Sequence, residues 1–386
     1  MFDPTDSARP RLLCVVTCMP GPSFSGLAMR AWATIYALTE TWAVTLLIHD
    51  HKLTPIATLD TALAKRCARV HIFHKDADLA ELRAAVAGEE FAVVHLFRAA
   101  AFSTWRGIAP VLAGSPQRWL DMDDVESASN ARMHVINKSG GRAVPRRNHE
   151  REALLAGQLE REIVDAMDRV FVCSAIDLPK LPAGRAVIDL LPNVRVPPER
   201  PSSPPAGDPF TLLMIGSMSY LPNEDGLGWL VTEIFPRARA MAPRPLRLLV
   251  AGHGRPGPAL SAVIDGDPDI ESVGFNRDLS DAYARAHVAL VPIRAGGGTR
   301  IKALEAWTYR RPVVGTSIGL EGLDVTPGQE ALIADEPWAF AEAIVALATD
   351  PALCERIAAA GYAHWQAHYT IDAIVPILAP GSFTPR

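Results

Sequence analysis

The sequence predicts an α/β chain in two domains, each built on strand–helix repeats. Three observations carry that prediction. Short β-branched apolar runs alternate with helical patterns along most of the length, the rhythm of βα units. At 386 residues the chain is long for a single hydrophobic core. The stretch VPPERPSSPPAGDP, residues 196–209, places six prolines in fourteen positions, a composition that continues neither sheet nor helix and reads as a semi-rigid hinge. The expected division is 1–195, a linker at 196–209, a second domain at 210–370 and a C-terminal tail at 371–386.

In the first domain Leu12–Thr17 is an apolar, β-rich run that reads as a buried strand. The loop CMPGPSFSG follows, with Gly21 and Gly26 in it, and then a helix over Leu27–Leu38. Arg30, near the start of that helix, suits a solvated face as well as a phosphate contact. Ala43–Ile48 and Arg69–Phe73 are strands, and Ala77–Ala87 a helix. Phe91–Leu96 is a buried strand with His95 near its C-terminal end, the edge where ligands of open α/β sheets gather, although a histidine there is more often packed. Gln117–Leu120 leads into LDMDDVES. There Asp123, Asp124 and Ser127 suit a helix N-cap, and Asp123 equally suits accepting a proton or a hydroxyl hydrogen bond. Arg132–Arg151 collects Arg132, Lys138, Arg142, Arg146, Arg147 and Arg151 around Gly140-Gly141 with little apolar periodicity. It reads as a mobile solvated loop or as a contact for an anionic acceptor or lipid surface. Glu152–Met167 is a helix, Arg169–Cys173 a strand, and Ala186–Leu191 closes the domain.

The second domain opens with the strand Phe210–Ile215, which runs into Gly216-Ser217 and a helix over Asn223–Met241. Leu246–Ala251 and Ile270–Phe275 are further strands, Leu279–Ala286 a helix, and His287–Val291 a buried strand. Trp338–Ala348 and Ala352–His368 are the closing helices. Between them lies VPIRAGGGTRIKALEAWTYRRPVVGTSIGLEGL, residues 291–323, a strand end, three glycines and a helix start. Glycines let a backbone come close to a ligand, and the first turn of a helix offers unpaired N–H groups and the positive end of its dipole. Arg300 and Lys302 add two cations there, so a diphosphate is the natural guest. Glu305 comes one turn after Lys302; its carboxylate suits a sugar diol, or else pairs with Lys302 on a surface.

Composition narrows the classes. Apolar residues at 49 % and charged residues at 21 % describe an ordinary globular protein, and a net charge of −5 argues against a general nucleic-acid binder. Five scattered cysteines (Cys14, Cys18, Cys67, Cys173 and Cys354) suggest reduced thiols, and no Cys/His set has zinc spacing. The opening MFDPTDSARPRLL is too polar for a signal peptide, and no apolar run approaches the ~20 residues of a spanning helix. A cytoplasmic protein is expected, with any membrane contact peripheral at the inner face. No G-x-G-x-x-G follows the first strand, which disfavours a dehydrogenase.

GGGTRIKALEA followed by RRPVVGTSIGLEGL resembles the donor-binding half of retaining glycosyltransferases of the GT-B fold. The match is to the group 1 family (family 4-like) of bacterial polysaccharide and glycolipid enzymes, in its GGGTR subgroup. The resemblance implies two Rossmann-like domains facing across a cleft, 1–195 on the acceptor side and 210–370 binding the nucleotide sugar. It implies that Gly296, Gly297, Gly298 and Thr299, with Arg300 and Lys302, hold the diphosphate, and that Glu305 holds the ribose. The loop with Gly21 and Gly26 would line the cleft, with Gly216 in the facing loop and Val273-Gly274-Phe275 at the base-binding edge. In a related D-V-H-N-V-E-S pattern a histidine faces the donor sugar; here Asp123 stands in that place. DRVFVCSAIDLPKL is similar to the family's segment before the linker.

Two departures stand out. The family usually has two glutamates separated by seven residues, and the first is replaced here by Gly297. Its usual arginine and lysine are missing from GSMSYLPNEDG, leaving the cationic duty to Arg300, Lys302 and Arg255. Asp121-Met122-Asp123 has the D-x-D form of a metal-dependent glycosyltransferase fold but lies in the wrong half of the chain, so neither a metal nor a resident cofactor is expected. The expected reaction moves a sugar from a nucleotide diphosphate sugar to a glycan, lipid-linked or small-molecule hydroxyl. A sugar-nucleotide epimerase or hydrolase of the same fold, or a catalytically silent assembly or regulatory subunit, is the alternative.

Overall fold

The computed structural model describes residues 9–22, 25–50, 59–74, 76–137, 148–276, 278–298 and 301–383. They form two compact α/β units. One comprises Met1–Val125, Leu155–Val194 and Thr370–Arg386; the other comprises Glu126–Leu154 and Arg195–Tyr369.

The first unit holds a seven-stranded parallel sheet in the order β3-β2-β1-β4-β5-β6-β7. Its strands are β1 (Arg11–Val16), β2 (Ala43–Asp50), β3 (Arg69–His74), β4 (Val93–Phe97), β5 (Gln117–Asp123), β6 (Arg169–Val172) and β7 (Val187–Leu190). Leu12, Leu13, Val15 and Val16 of β1 are fully buried, as a strand covered by helices on both faces must be. The helix Gly26–Thr41 begins at Ser25, whose side chain caps the Ala28 N–H.

The segment 371–386, read from sequence as a tail, belongs to this unit and carries the helix Ile371–Leu378. Trp42 Nε1 donates to the Leu378 carbonyl at 2.7 Å. Arg169 Nη1 donates to the Ile377 carbonyl at 3.0 Å and to Ser382 at 3.1 Å. The Arg169 guanidinium also lies over the rings of Trp119, Phe171 and Phe383. None of these partners is near in sequence, so the docking leaves no local signal.

The second unit holds a six-stranded parallel sheet, β10-β9-β8-β11-β12-β13. Its strands are β8 (Phe210–Ile215), β9 (Leu246–Ala251), β10 (Ile270–Gly274), β11 (Val288–Val291), β12 (Val313–Gly315) and β13 (Leu332–Ile333). The helix expected over Asn223–Met241 is broken. It runs Leu221–Trp229, widens to a π turn over Leu230–Ile234, and resumes over Phe235–Met241. Pro236 explains the widening: it has no N–H to give and its ring would meet the carbonyl one turn back. The proline-rich stretch 196–209 lies within this unit and is tied to it. Arg200 Nε donates to Asp278 at 3.0 Å, and the buried Arg311 donates to the Ser202 carbonyl and hydroxyl at 3.1 Å. Arg311 also donates to the carbonyls of Tyr283, Ala286 and Tyr309; burial pulls its pKa down to about 10. The five cysteines form no disulfide.

Two buried histidines make the fold sensitive to acid. His95 on β4 is fully buried; burial, with Arg30 and Arg169 adding, depresses its pKa to about 3. Burial, then Arg244 and Arg311, depresses that of His287 to about 4, and its Nδ1 accepts the Thr211 N–H at 2.9 Å. The unfolded chain therefore binds more protons than the folded one between the unperturbed histidine value near 6.5 and these depressed values. Stability is held above pH 6.5 and falls as pH drops through that window, by on the order of a few kcal/mol in all. Denaturant titrations at pH 7.5 and 4.5 check this. His287→Asn, whose Oδ1 can stand in for Nδ1 as acceptor, is expected to shrink the pH dependence.

Candidate active site

Parallel sheets gather ligands at the C-terminal ends of their strands, where the strand order reverses. In the second unit that place is between β8 and β11. Gly216 follows β8, and its N–H donates to the Ala251 carbonyl at 2.9 Å. Gly252, after β9, has φ +147 and donates to the Gly274 carbonyl at 2.8 Å; a Cβ on it would fall on the Gly216 carbonyl oxygen. Gly274 ends β10 at φ +69, and the half-exposed Phe275 beyond it meets the His253 ring edge-on at 6.1 Å. Glycine is therefore required at 252 by both space and backbone, and the edge is lined by main chain.

The loop after β11 is held on several sides. A Cβ on Gly226 would strike the Pro292 carbonyl, and one on Gly319 the Val291 carbonyl, so a neighbouring helix and turn press on its start. Arg294 forms a two-armed pair with the buried Asp225, both bonds at 2.9 Å. Arg132 donates to the Gly296 carbonyl at 3.1 Å and pairs in two-armed fashion with Glu321. Gly296 and Gly298 take φ +110 and +69, conformations that favour glycine. Gly297 lies between them. Thr299 and Arg300 are outside the described residues. The helix Ile301–Thr308 then carries Lys302, half-buried, and Glu305, buried. The Glu305 carboxylate pairs with Arg195 Nη2, with the two side chains 6 % and 13 % exposed. A backbone-lined edge, a helix start and a buried carboxylate suit an anionic ligand that also carries a diol.

In the first unit the organising group is Arg30. Sequence reading left it solvated or on a phosphate; it is instead a buried ion pair. Its Nε and Nη2 donate to the fully buried Asp121 at 2.7–3.1 Å, Nη1 to Asn193 at 3.0 Å and Nη2 to the Leu191 carbonyl at 2.9 Å. Burial alone would lower the Arg30 pKa; the Asp121 and Asp123 carboxylates outweigh it and keep the guanidinium charged. This pair removes Asp121 of the D-M-D run from any metal-binding role. Asp121 Oδ1 also accepts the Asp123 N–H at 3.0 Å.

Asp123 is at the end of β5 with φ +62, and Arg98, just past β4, has φ +66. The Asp123 carboxylate meets Asn193 Nδ2 at 3.4 Å, Arg30 Nε at 3.5 Å and Arg98 Nη1 at 3.9 Å. Two left-handed non-glycine residues on neighbouring strand ends are the kind of strain that collects at functional sites. Gly21, in the loop after β1, donates to the Ala28 carbonyl at 3.1 Å, while Gly26 is the first residue of the helix and not part of the loop. His95 is packed under Phe171.

Several of these residues were not legible. Arg98 and Asn193 carry no motif, and Arg195 meets Glu305 across 110 residues. The basic stretch from Arg132 to Arg151 is not one loop: Arg132 lies in the helix Glu126–Asn137, and a second helix, His149–Ala166, takes in Arg151. Arg132 pairs with Glu321, far along the chain. Lys138, Arg142, Arg146 and Arg147 lie outside the described residues.

Residues 209–350 match the family of glycosyl transferases group 1. Over 165 residues, 41 % of this chain and 42 % of the relative, the sequence is 26 % identical to an uncharacterized 44.6 kDa protein in the cps region of Klebsiella pneumoniae. The aligned stretch thus spans about two fifths of that curated relative. The fold is similar to that of sucrose-phosphate synthase from Thermosynechococcus elongatus, with a TM-score of 0.68 at 17 % identity, covering 95 % of this chain and 96 % of that one. It is also similar to Anabaena Alr3699/HepE, solved in complex with UDP and glucose, with a TM-score of 0.63 at 12 % identity and coverages of 95 % and 97 %. The pneumococcal O-GlcNAc transferase GtfA, solved with UDP and GlcNAc, gives a TM-score of 0.62 at 10 % identity and the same coverages. The chain is therefore α/β with two Rossmann-like parallel-sheet domains of the GT-B type, and its second domain carries the group 1 match.

The buried Arg30–Asp121 pair predicts a specific stability pattern. Arg30→Met leaves Asp121 charged and uncompensated and is expected to cost about 3–5 kcal/mol. Adding Asp121→Leu removes the stranded charge, and the double variant is expected to recover a large part of that loss. Urea unfolding of the three proteins measures it; equal stability of single and double variants contradicts the assignment.

Proposed function

We propose that this protein is a glycosyltransferase that moves a sugar from a nucleotide diphosphate sugar to an acceptor hydroxyl with retention of configuration. The group 1 match over 209–350, lying on the glycine-lined edge of the second sheet, is the observation that carries the reading. The diphosphate is placed at the start of the helix Ile301–Thr308, against Gly296, Gly297, Gly298 and Thr299, with Arg300 and Lys302 as cations and Glu305 on the ribose. Gly216, Gly274 and Phe275 border the donor. Asp123, with Gly21 in the first βα loop and Gly26 at the start of the helix that follows, serves the sugar and acceptor.

In the reaction the bond from the anomeric carbon to the diphosphate oxygen breaks and a bond to the acceptor oxygen forms. The acceptor proton passes to a donor phosphate oxygen, and charge developing on the leaving diphosphate is met by the helix start and both cations. The chain's own residues suffice for this, and no metal is assigned a role. The acceptor is a glycan or lipid-linked hydroxyl, consistent with the cps-region relative. No described helix is long and apolar enough to cross a membrane. Contact with a membrane would be peripheral, through the basic run that contains Arg142, Arg146 and Arg147.

Incubation with a panel of nucleotide sugars, following nucleotide release with and without acceptor, tests the reading. Release that depends on acceptor is expected; release without acceptor indicates hydrolysis, and tight nucleotide binding with no turnover indicates a silent subunit.

Binding is predicted to separate the roles. Glu305→Ala should lower nucleoside and nucleotide affinity alike by ~1–3 kcal/mol, tenfold to a hundredfold, with Glu305→Gln milder. Arg300→Ala should weaken the diphosphate more than the nucleoside, because its partner is phosphate. Calorimetric titration with nucleoside, monophosphate and diphosphate reads both effects, and parent-like affinities for Glu305→Ala would falsify the ribose role. Neutralising Arg142, Arg146 and Arg147 together is expected to weaken binding to anionic vesicles and leave nucleotide affinity unchanged. Equal vesicle binding by parent and variant removes the membrane contact.

A further inference from the structure

Glu305 does not stand alone on its helix. Arg195 begins the longer segment of the second unit, and Tyr369 ends it. The Arg195 N–H donates to the Tyr369 carbonyl at 2.9 Å, and the Arg195 carbonyl accepts Trp365 Nε1 at 3.0 Å. Two hydrogen bonds thus fix this backbone, and Trp365, itself buried, is part of the core beneath the helix. From that anchored position the guanidinium reaches the Glu305 carboxylate in a nearly solvent-free pair. The helix end is also fixed on its other side: the Thr308 hydroxyl donates to the Glu305 carbonyl at 2.7 Å, and Tyr283 and Tyr309 stack at 4.1 Å.

We propose that Arg195 is a positioning residue for nucleotide recognition, holding the Glu305 carboxylate in the one orientation that receives a ribose diol. This rests on the reading of Glu305 given above. A carboxylate has two oxygens and about four acceptor directions, enough for one arginine N–H and two hydroxyls. An arginine engaging one oxygen from a fixed backbone takes away the freedom to rotate, and a group held this way binds without reorganising. Without it, the buried carboxylate lacks its countercharge and settles on whatever donor it can reach. Lysine at 195 would keep the charge but not the forked, planar geometry.

The test uses UDP and GDP and their 2′,3′-dideoxy forms, titrated against the full chain and against Arg195→Met, Arg195→Lys and Glu305→Ala. The parent is expected to prefer the ribose form of whichever nucleotide it binds by roughly tenfold or more. Arg195→Met is expected to bring that preference close to one, Arg195→Lys to an intermediate value, and Glu305→Ala to one. A purely structural role would lower the melting temperature and weaken ribose and dideoxy forms together, leaving the preference at its parent value; that result overturns the proposal. So does a parent-like preference in Arg195→Met or, should that variant not fold, in Arg195→Lys. A Glu305→Ala protein with parent-like preference, or a parent that has none, overturns the ribose reading itself and the proposal with it.

Discussion

A reversal of strand order opens each sheet at one place, and the glycine-lined loops of the second unit and the Asp123 cluster of the first stand beside those openings. In a parallel sheet wound outward in both directions from a first strand, the connections on either side of the reversal leave on opposite faces. The strand ends there are the only ones not roofed by a crossing connection. In the second unit the reversal separates β8 from β11, and Gly216 and the loop 292–298 stand at those two strand ends. In the first unit it separates β1 from β4, and the Gly21 loop and Arg98 stand there, with Asp123 one strand further along.

Within each unit, separate segments are tied together by arginines that have left water. Arg30, Arg169 and Arg311 are buried, and Arg195 nearly so. Each spends donors on partners remote in sequence, Arg311 also on the nearby Tyr309 carbonyl. Arg30 reaches Asp121, Asn193 and Leu191; Arg169 reaches Asp189 and the C-terminal segment; Arg311 reaches Ser202; Arg195 reaches Glu305. A planar guanidinium with five donors can satisfy several acceptors from one fixed position, which a lysine cannot. A buried pair contributes little net stability compared with apolar residues of the same size, so its value here is geometric. Asp121 shows this: while neutralising Arg30 it accepts the Asp123 N–H and so helps hold Asp123 in its left-handed conformation.

This division of labour decides what could be read from the sequence. The strands were legible because parallel strands are continuous apolar runs, and Phe210–Ile215 and Leu246–Ala251 were placed to the residue. The glycines of 296–298 and the helix Ile301–Thr308 were legible because positive φ favours glycine and helical spacing is local. The arginine partners were not, since most of these contacts join residues tens to hundreds of positions apart and no periodicity marks a side chain that is charged and buried. The helix over 371–378 was missed for the same reason, its docking depending on Trp42 and Arg169. Short helices such as Thr61–Arg66 and Ala101–Ile108 fell below the length at which a 3.6-residue period declares itself.

Gly297 lies between two glycines of unusual backbone. Gly296 and Gly298 both have positive φ, so the backbone turns sharply on either side of position 297. The same turn is pinned by Arg132 on the Gly296 carbonyl and by Arg294 on Asp225. A loop held by two arginines and bent by flanking glycines presents main chain. The cost of ordering such a loop is met on folding and not on binding, which favours an anion over a ligand that must be gripped by side chains. In the first unit the Asp123 carboxylate and the Arg98 guanidinium likewise stand on backbone of positive φ, so both charged groups project from fixed strand ends.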